Sequence, residues 1–183
     1  DQDGANQTRI TDREGGFPLF VSPDNQWVYY SHGINRKLWR ISLKNGSQEV
    51  IFDQAKPFFA FSPDGSRLAF AEKRDDQTLL ATASPADGKI LRTYQLADKK
   101  SQLLNIVWMP DGKSLAYIST DANYRNYALF LQKENEEKPQ LIFSLVEPIA
   151  ESAAALAVSP DGKNFAVVQG NWLHDAVLLK GLR

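Results

Sequence analysis

Apolar positions in this chain fall into short runs. Between residues 17 and 52 they read FPLFVS, WVYYS, KLWRISL and QEVIF, separated by PDN, HGIN and KNGS. Runs of this length, rich in Val, Ile, Phe, Tyr and Trp and bounded by turn residues, predict β-strands. The plan recurs between residues 58 and 96 as FFAFS, RLAFAE, TLLATAS and ILRTYQL. Some runs, such as ALAVS and FAVVQ around Pro160, are apolar at consecutive positions, so both faces of these strands are expected to be covered. Helical periodicity is weak. Only VEPIAESAAALAV at 146–158 tempts a helix, and there the repeat register predicts an innermost strand from Ala153 to Val158, with room for one helical turn at 148–153.

One phrase punctuates these strands four times: SPDNQWVYY at 22–30, SPDGSRLAF at 62–70, MPDGKSLAY at 109–117 and SPDGKNFAV at 159–167. Pro23, Pro63, Pro110 and Pro160 are spaced by 40, 47 and 50 residues, the interval of one propeller blade per repeat. Proline presets φ for the turn, aspartate accepts local amide N–H groups, and Gly or Asn takes the left-handed conformation that a hairpin needs. The predicted fold class is all-β: a β-propeller with four blade repeats of four antiparallel strands. The repeats span about 17–53, 57–96, 103–146 and 151–183 plus 8–11, within a single domain over residues 1–183. The last unit has only three strands, AAALAVS, NFAVVQ and AVLLKGL, so TRIT at 8–11 is expected to pair with 176–182 and close the ring. Half of an eight-bladed dimer, or a fragment of a larger propeller, are the alternatives.

Composition narrows function mainly by exclusion. With 183 residues, 43% of them hydrophobic, the chain can bury a sizeable core. Its 21 basic and 22 acidic side chains leave a net charge of −1, which offers no field for nucleic acid or an anionic membrane. Zero Cys removes disulfides and thiolate chemistry and leaves the compartment undecided. The longest apolar runs are too short to span a bilayer, and DQDGANQTRI does not read as a signal peptide, so no membrane insertion is expected.

The phrases SPDGSRLAF, WMPDGKSLAYIST and VSPDGKNFAVVQG resemble β-propeller repeats of the TolB type, relatives of the WD repeats. RITDREGG near the start and DAVLLKGLR at the end resemble the C-terminal propeller of bacterial multidomain sensors that carry a winged-helix or kinase module. The resemblance covers about Thr8 to Arg183 and departs at Asn25, where the turn Gly is expected, and at Met109, where Ser is. It implies a noncatalytic protein- or ligand-binding scaffold of a signalling or envelope protein, in a periplasmic or extracytoplasmic setting. It brings no catalytic residues and no cofactor.

Candidate chemistry is sparse. His32 and His174 are the two histidines, in predicted B–C loops of the first and fourth units, and could approach each other if those blades are neighbours. No G-x-S-x-G elbow supports a serine nucleophile. Asp24, Asp64, Asp111 and Asp161 recur at one turn position, where capping explains them more simply than calcium does. Trp27, Trp39 and Trp108 lie inside strands and read as blade packing, whereas Trp172 follows Gly170 and Asn171 in a loop. Strand alternation places A–B and C–D turns on one face of the disk and B–C and D–A connections on the other. The second face carries the irregular segments, 31–37, 72–77, 96–102, 119–127, 146–152 and 170–175, and with them Arg36, Tyr124, Arg125 and Trp172, residue types common at binding hot spots. The expected partner is a protein or small molecule, with a homodimer as a further expectation. A propeller that gates a hydrolase and a self-assembly module are the alternative functions.

Overall fold

A computed structural model describes residues 9–11, 16–32, 37–53, 58–123, 126–145 and 152–170. Within them lie β1 (Gly16–Val21), β2 (Trp27–His32), β3 (Leu38–Ser42) and β4 (Gln48–Phe52), then β5 (Ala60–Phe61), β6 (Leu68–Arg74), β7 (Gln77–Ala83) and β8 (Ile90–Gln95). They are followed by β9 (Gln102–Trp108), β10 (Ser114–Thr120), β11 (Tyr127–Lys133), β12 (Gln140–Leu145), β13 (Ser152–Val158) and β14 (Phe165–Gly170). Every described pairing is antiparallel, and the strands form three four-stranded sheets in chain order and one two-stranded sheet, β13–β14. The all-β, propeller-type architecture follows, and the segment that tempted a helix is strand from Ser152 onward. The expected closing pair is not seen: residues 9–11 belong to no strand, and 176–182 lie outside the described residues.

Each A–B hairpin is fixed by one repeated set of hydrogen bonds. The amides of Asn25, Gly65, Gly112 and Gly162 donate to the carbonyls of Ser22, Ser62, Met109 and Ser159 at 2.8–2.9 Å, and these four turn residues have φ of 53°, 68°, 63° and 72°. Asn25 therefore occupies the left-handed position that glycine takes in the other turns, as a short polar side chain permits. In three turns the opening serine hydroxyl donates to the aspartate, at 2.5–2.6 Å, and accepts the amide of Trp27, Arg67 or Asn164. Met109 cannot do this. Ser114 replaces it, its amide and hydroxyl each donating to Asp111 at 3.0 Å, so the turn survives the substitution.

Strand alternation explains the consecutive apolar residues. On β6, Leu68 and Phe70 pack toward the first sheet while Ala69 and Ala71 pack toward the third. On β10, Leu115 and Tyr117 face the second sheet while Ala116 and Ile118 face the fourth. Phe20 stacks on Phe61 with centroids 4.4 Å apart, and Phe52 meets Phe70 at 4.9 Å, so aromatic rings join the first two sheets. Fully burying a side chain such as Phe70 contributes about 1.5–3 kcal/mol.

Single extra residues recur in the ladders. They fall at Leu19, Leu104 and Ala154 on inner strands, and at Ile51, Leu91 and Ile142 on outer strands. A bulge on the outermost strand twists the exposed edge and interrupts its donor row, which protects against edge-to-edge association.

Candidate functional site

The turn face is chemically saturated. The carboxylates of Asp24, Asp64, Asp111 and Asp161 each accept the amide two residues on, at 2.8–3.1 Å. Hydrogen bonds from Ser22 and Gln26 hold Asp24 below the usual carboxylate range, and those from Ser62 and Ser66 lower Asp64 to about 2. Ser159 and Lys163 lower Asp161; at Asp111 burial acts upward but is outweighed by Lys113 and Ser114. These acids cap turns. Among the described residues no three His, Asp or Glu side chains gather as a metal set.

Arg67 ties neighbouring sheets together on this face. Its guanidinium donates to Glu134 at 2.8 Å and to the carbonyl of Gly112, and lies 4.7 Å from the Trp108 ring centroid. Trp108 in turn donates to the carbonyl of Ala60 at 3.0 Å, so this tryptophan is blade packing, as its strand position predicts. Trp27 packs against the apolar cluster between the first and second sheets, with Arg40 above its ring at 4.1 Å.

The opposite face is reached through the B–C and D–A connections. There the charge run 72–77 is a solvated hairpin tip, as such runs are expected to be, rather than a long irregular connection: β6 runs to Arg74 and β7 starts at Gln77, leaving a two-residue turn in which Asp75 has φ 51°. What the charge pattern leaves open is only how far the strand pairing extends into the tip. The connection after Thr120 is tied by Asp121, which accepts the Asn123 amide at 3.1 Å and the Asn126 side-chain amide at 2.7 Å. Lys37 and Asp53 pair across the start of β3 and the end of β4.

The sequence candidates Arg36, Tyr124, Arg125, Trp172 and His174 lie outside the described residues. His32 is placed at the end of β2, on this same face, by its backbone. Two residues that sequence reading missed stand out here. Phe58, just before inner strand β5, is 43% exposed and has φ 60°, and Phe17 at the start of β1 is 69% exposed. A bulky residue with positive φ is a rare, strained conformation, and such strain concentrates where a surface is held ready for use. The doublet Phe58–Phe59 beside Pro57 was the available signal, but nothing in it reveals which ring faces outward.

No family model and no curated protein matches this sequence. Solved structures do match in fold. A protein assigned as TolB from Agrobacterium tumefaciens superposes with TM-score 0.66 at 16% identity, covering 89% of this chain and 61% of its own. Dipeptidyl peptidase 4 of Porphyromonas gingivalis gives 0.60 at 14% identity over 86% of this chain and 30% of its own. A nidogen/laminin complex gives 0.59 at 16%, over 84% and 56%. The chain thus has the β-propeller type of fold and spans about three fifths of the TolB-assigned structure.

Proposed function

We propose that this chain is a noncatalytic propeller-type scaffold that binds a protein partner through its B–C and D–A face. The observation that carries this reading is Phe58, an exposed aromatic ring held at positive φ beside an inner strand, on the same face as exposed Phe17. Aromatic and arginine side chains dominate binding hot spots, and the sequence candidates Arg36, Tyr124, Arg125 and Trp172 are expected in connections of the same face. The two histidines, His32 and His174, are included as polar members of that surface. The likeness to TolB structures supports a binding role in an envelope or signalling protein outside the cytoplasm, and the resemblance to sensor propellers belongs to the same reading.

The test is differential capture. A partner is isolated from an envelope extract on the immobilised chain, and its affinity is measured for Phe58→Ala, Trp172→Ala and Arg125→Ala beside Lys44→Ala and Lys89→Ala on the turn face. Loss of a hot-spot side chain costs about 2 kcal/mol or more. The first three variants are expected to weaken binding and the two lysine variants to leave it intact; the reverse pattern would place recognition on the turn face. The peptidase among the structural neighbours keeps a second reading open, a propeller that gates a hydrolase. Partner cleavage by the isolated chain would favour an enzyme over either reading.

A further inference from the structure

The sequence contains a single Asn-Gly step, Asn45-Gly46, and the fold puts it at the tip of the β3–β4 hairpin, where residues 43–50 are all exposed. The Gly46 amide donates to the Ser42 carbonyl at 2.9 Å, and the Asn45 side-chain oxygen accepts the Ser47 amide at 3.0 Å. This second bond makes an Asx turn, which folds the side-chain carbonyl back along the main chain beside the Gly46 nitrogen. Gly46 has φ 72°, and a Cβ built there would meet nothing within 4 Å. An amide carbon thus stands next to a main-chain nitrogen that no side chain crowds, open to water.

The β7–β8 hairpin of the second sheet repeats this turn with an acid in the same place. The Gly88 amide donates to the Ser84 carbonyl at 2.9 Å, Asp87 accepts the Lys89 amide at 3.1 Å, and Gly88 also has φ 72°. Two features set it apart. A Cβ on Gly88 would lie 2.6 Å from the Ile51 carbonyl oxygen, so this turn rests against the first sheet. Hydrogen bonds from Ser84 and Lys89 hold Asp87 below the usual carboxylate range, which keeps it ionised and a poor electrophile. Asp64, Asp111 and Asp161, each followed by glycine, are likewise held low. An uncharged amide has no such protection. Asn105, Asn126 and Asn164 differ in another way, since each precedes a bulky residue, Ile106, Tyr127 or Phe165.

We propose that Asn45 is a site of spontaneous covalent modification in the folded chain, its side-chain amide converting through a cyclic imide with Gly46 to aspartate and isoaspartate. Hydroxide takes the Gly46 amide proton as the exposed bond to Ser42 opens. The nitrogen then bonds to Asn45 Cγ, the Cγ–Nδ2 bond breaks, and ammonia leaves. Water opens the imide at one of its two carbonyls: attack at Cγ gives aspartate, and attack at the main-chain carbonyl gives isoaspartate, with the chain rerouted through Cγ. No oxidant or metal enters. The aspartate product reproduces the Asp87 turn, whereas isoaspartate adds a main-chain carbon between Ser42 and Ser47 and disrupts their hydrogen bonds. Both products place a new negative charge on the turn face.

Mass spectrometry of aged protein tests the proposal. The full chain is kept in warm, mildly alkaline buffer, folded and in parallel unfolded in urea, then digested with pepsin at acid pH. The folded chain should show the mass gain of an amide turned acid in the peptide that holds Asn45, and isoaspartate there should accept a methyl group from an isoaspartyl methyltransferase. Gly46→Ala should slow the conversion at least about tenfold, because a Cβ on the attacking residue restricts the backbone and crowds ring closure. Asn45→Asp should keep the parent Tm, while the aged parent chain should lose Tm in step with its isoaspartate content. Conversion in urea but not in the folded chain would show that the turn's hydrogen bonds lock the site, and would overturn the proposal. A mass gain indifferent to Gly46→Ala, or spread equally over Asn105, Asn126 and Asn164, would overturn it as well.

Discussion

Replacing Gly65 with alanine separates two costs that the repeated turn normally hides. At φ 68° any L side chain is strained, by about 1–2 kcal/mol in the left-handed region. At this site the added methyl would also lie 2.6 Å from Pro23 Cδ and 3.2 Å from Phe20 Cε1, inside the contact between the first two sheets. Forcing an extra carbon into packed surroundings costs about 1–3 kcal/mol more, so Gly65→Ala should lose about 2–5 kcal/mol. Gly112 and Gly46 are the controls. They have φ of 63° and 72°, but a Cβ on the first would meet nothing nearer than Pro63 Cδ at 3.9 Å, and one on the second nothing within 4 Å. Their alanine variants should show the backbone cost alone, about 2–8 °C in Tm for a chain of this size. Thermal unfolding followed by circular dichroism and calorimetry reads the difference. Equal shifts for Gly65→Ala and Gly112→Ala would show that the turn of one sheet does not rest on the proline of the sheet before it.

Two further outcomes follow from the turn face. Asp24, Asp64, Asp87, Asp111 and Asp161 are all held below the ordinary carboxylate value of 3.8, with Asp64 at about 2, so their contribution to stability is present above that value and is lost as pH falls toward 2. Tm measured from pH 6 to pH 2 should drop within that window, and Asp64→Asn should flatten the drop; an unchanged acid limb in the variant contradicts the assignment. Arg67→Lys should cost on the order of 1–2 kcal/mol and alter Trp108 fluorescence, because an ammonium cannot reproduce the donor fork toward Glu134 and Gly112 or the stacking on the indole; a Tm equal to that of the parent chain would refute the clasp.

The sequence by itself determined the strands and turns. Ser-Pro-Asp-Gly carries its φ preference and its hydrogen-bond acceptors within six residues, so hairpins such as β5–β6 and β13–β14 could be placed from the phrase alone. Consecutive apolar residues in RLAFAE likewise showed that both faces of one strand are covered, since neighbouring side chains on a strand point oppositely. Tertiary structure decided the rest. The charge run EKRDDQ was legible as a hairpin tip, but its length was not: how far β6 and β7 stay paired, to Arg74 and Gln77, is set by the register of the sheet. The bulges at Ile51, Leu91 and Ile142 leave no residue signature because any side chain can occupy the unpaired position when the neighbouring strand bends. Of the candidate binding face, sequence could supply residue types and a side of the disk; the outward, strained ring of Phe58 came only from the structure. A positive φ at a phenylalanine runs against the residue's own preference, so nothing in the local sequence announces it.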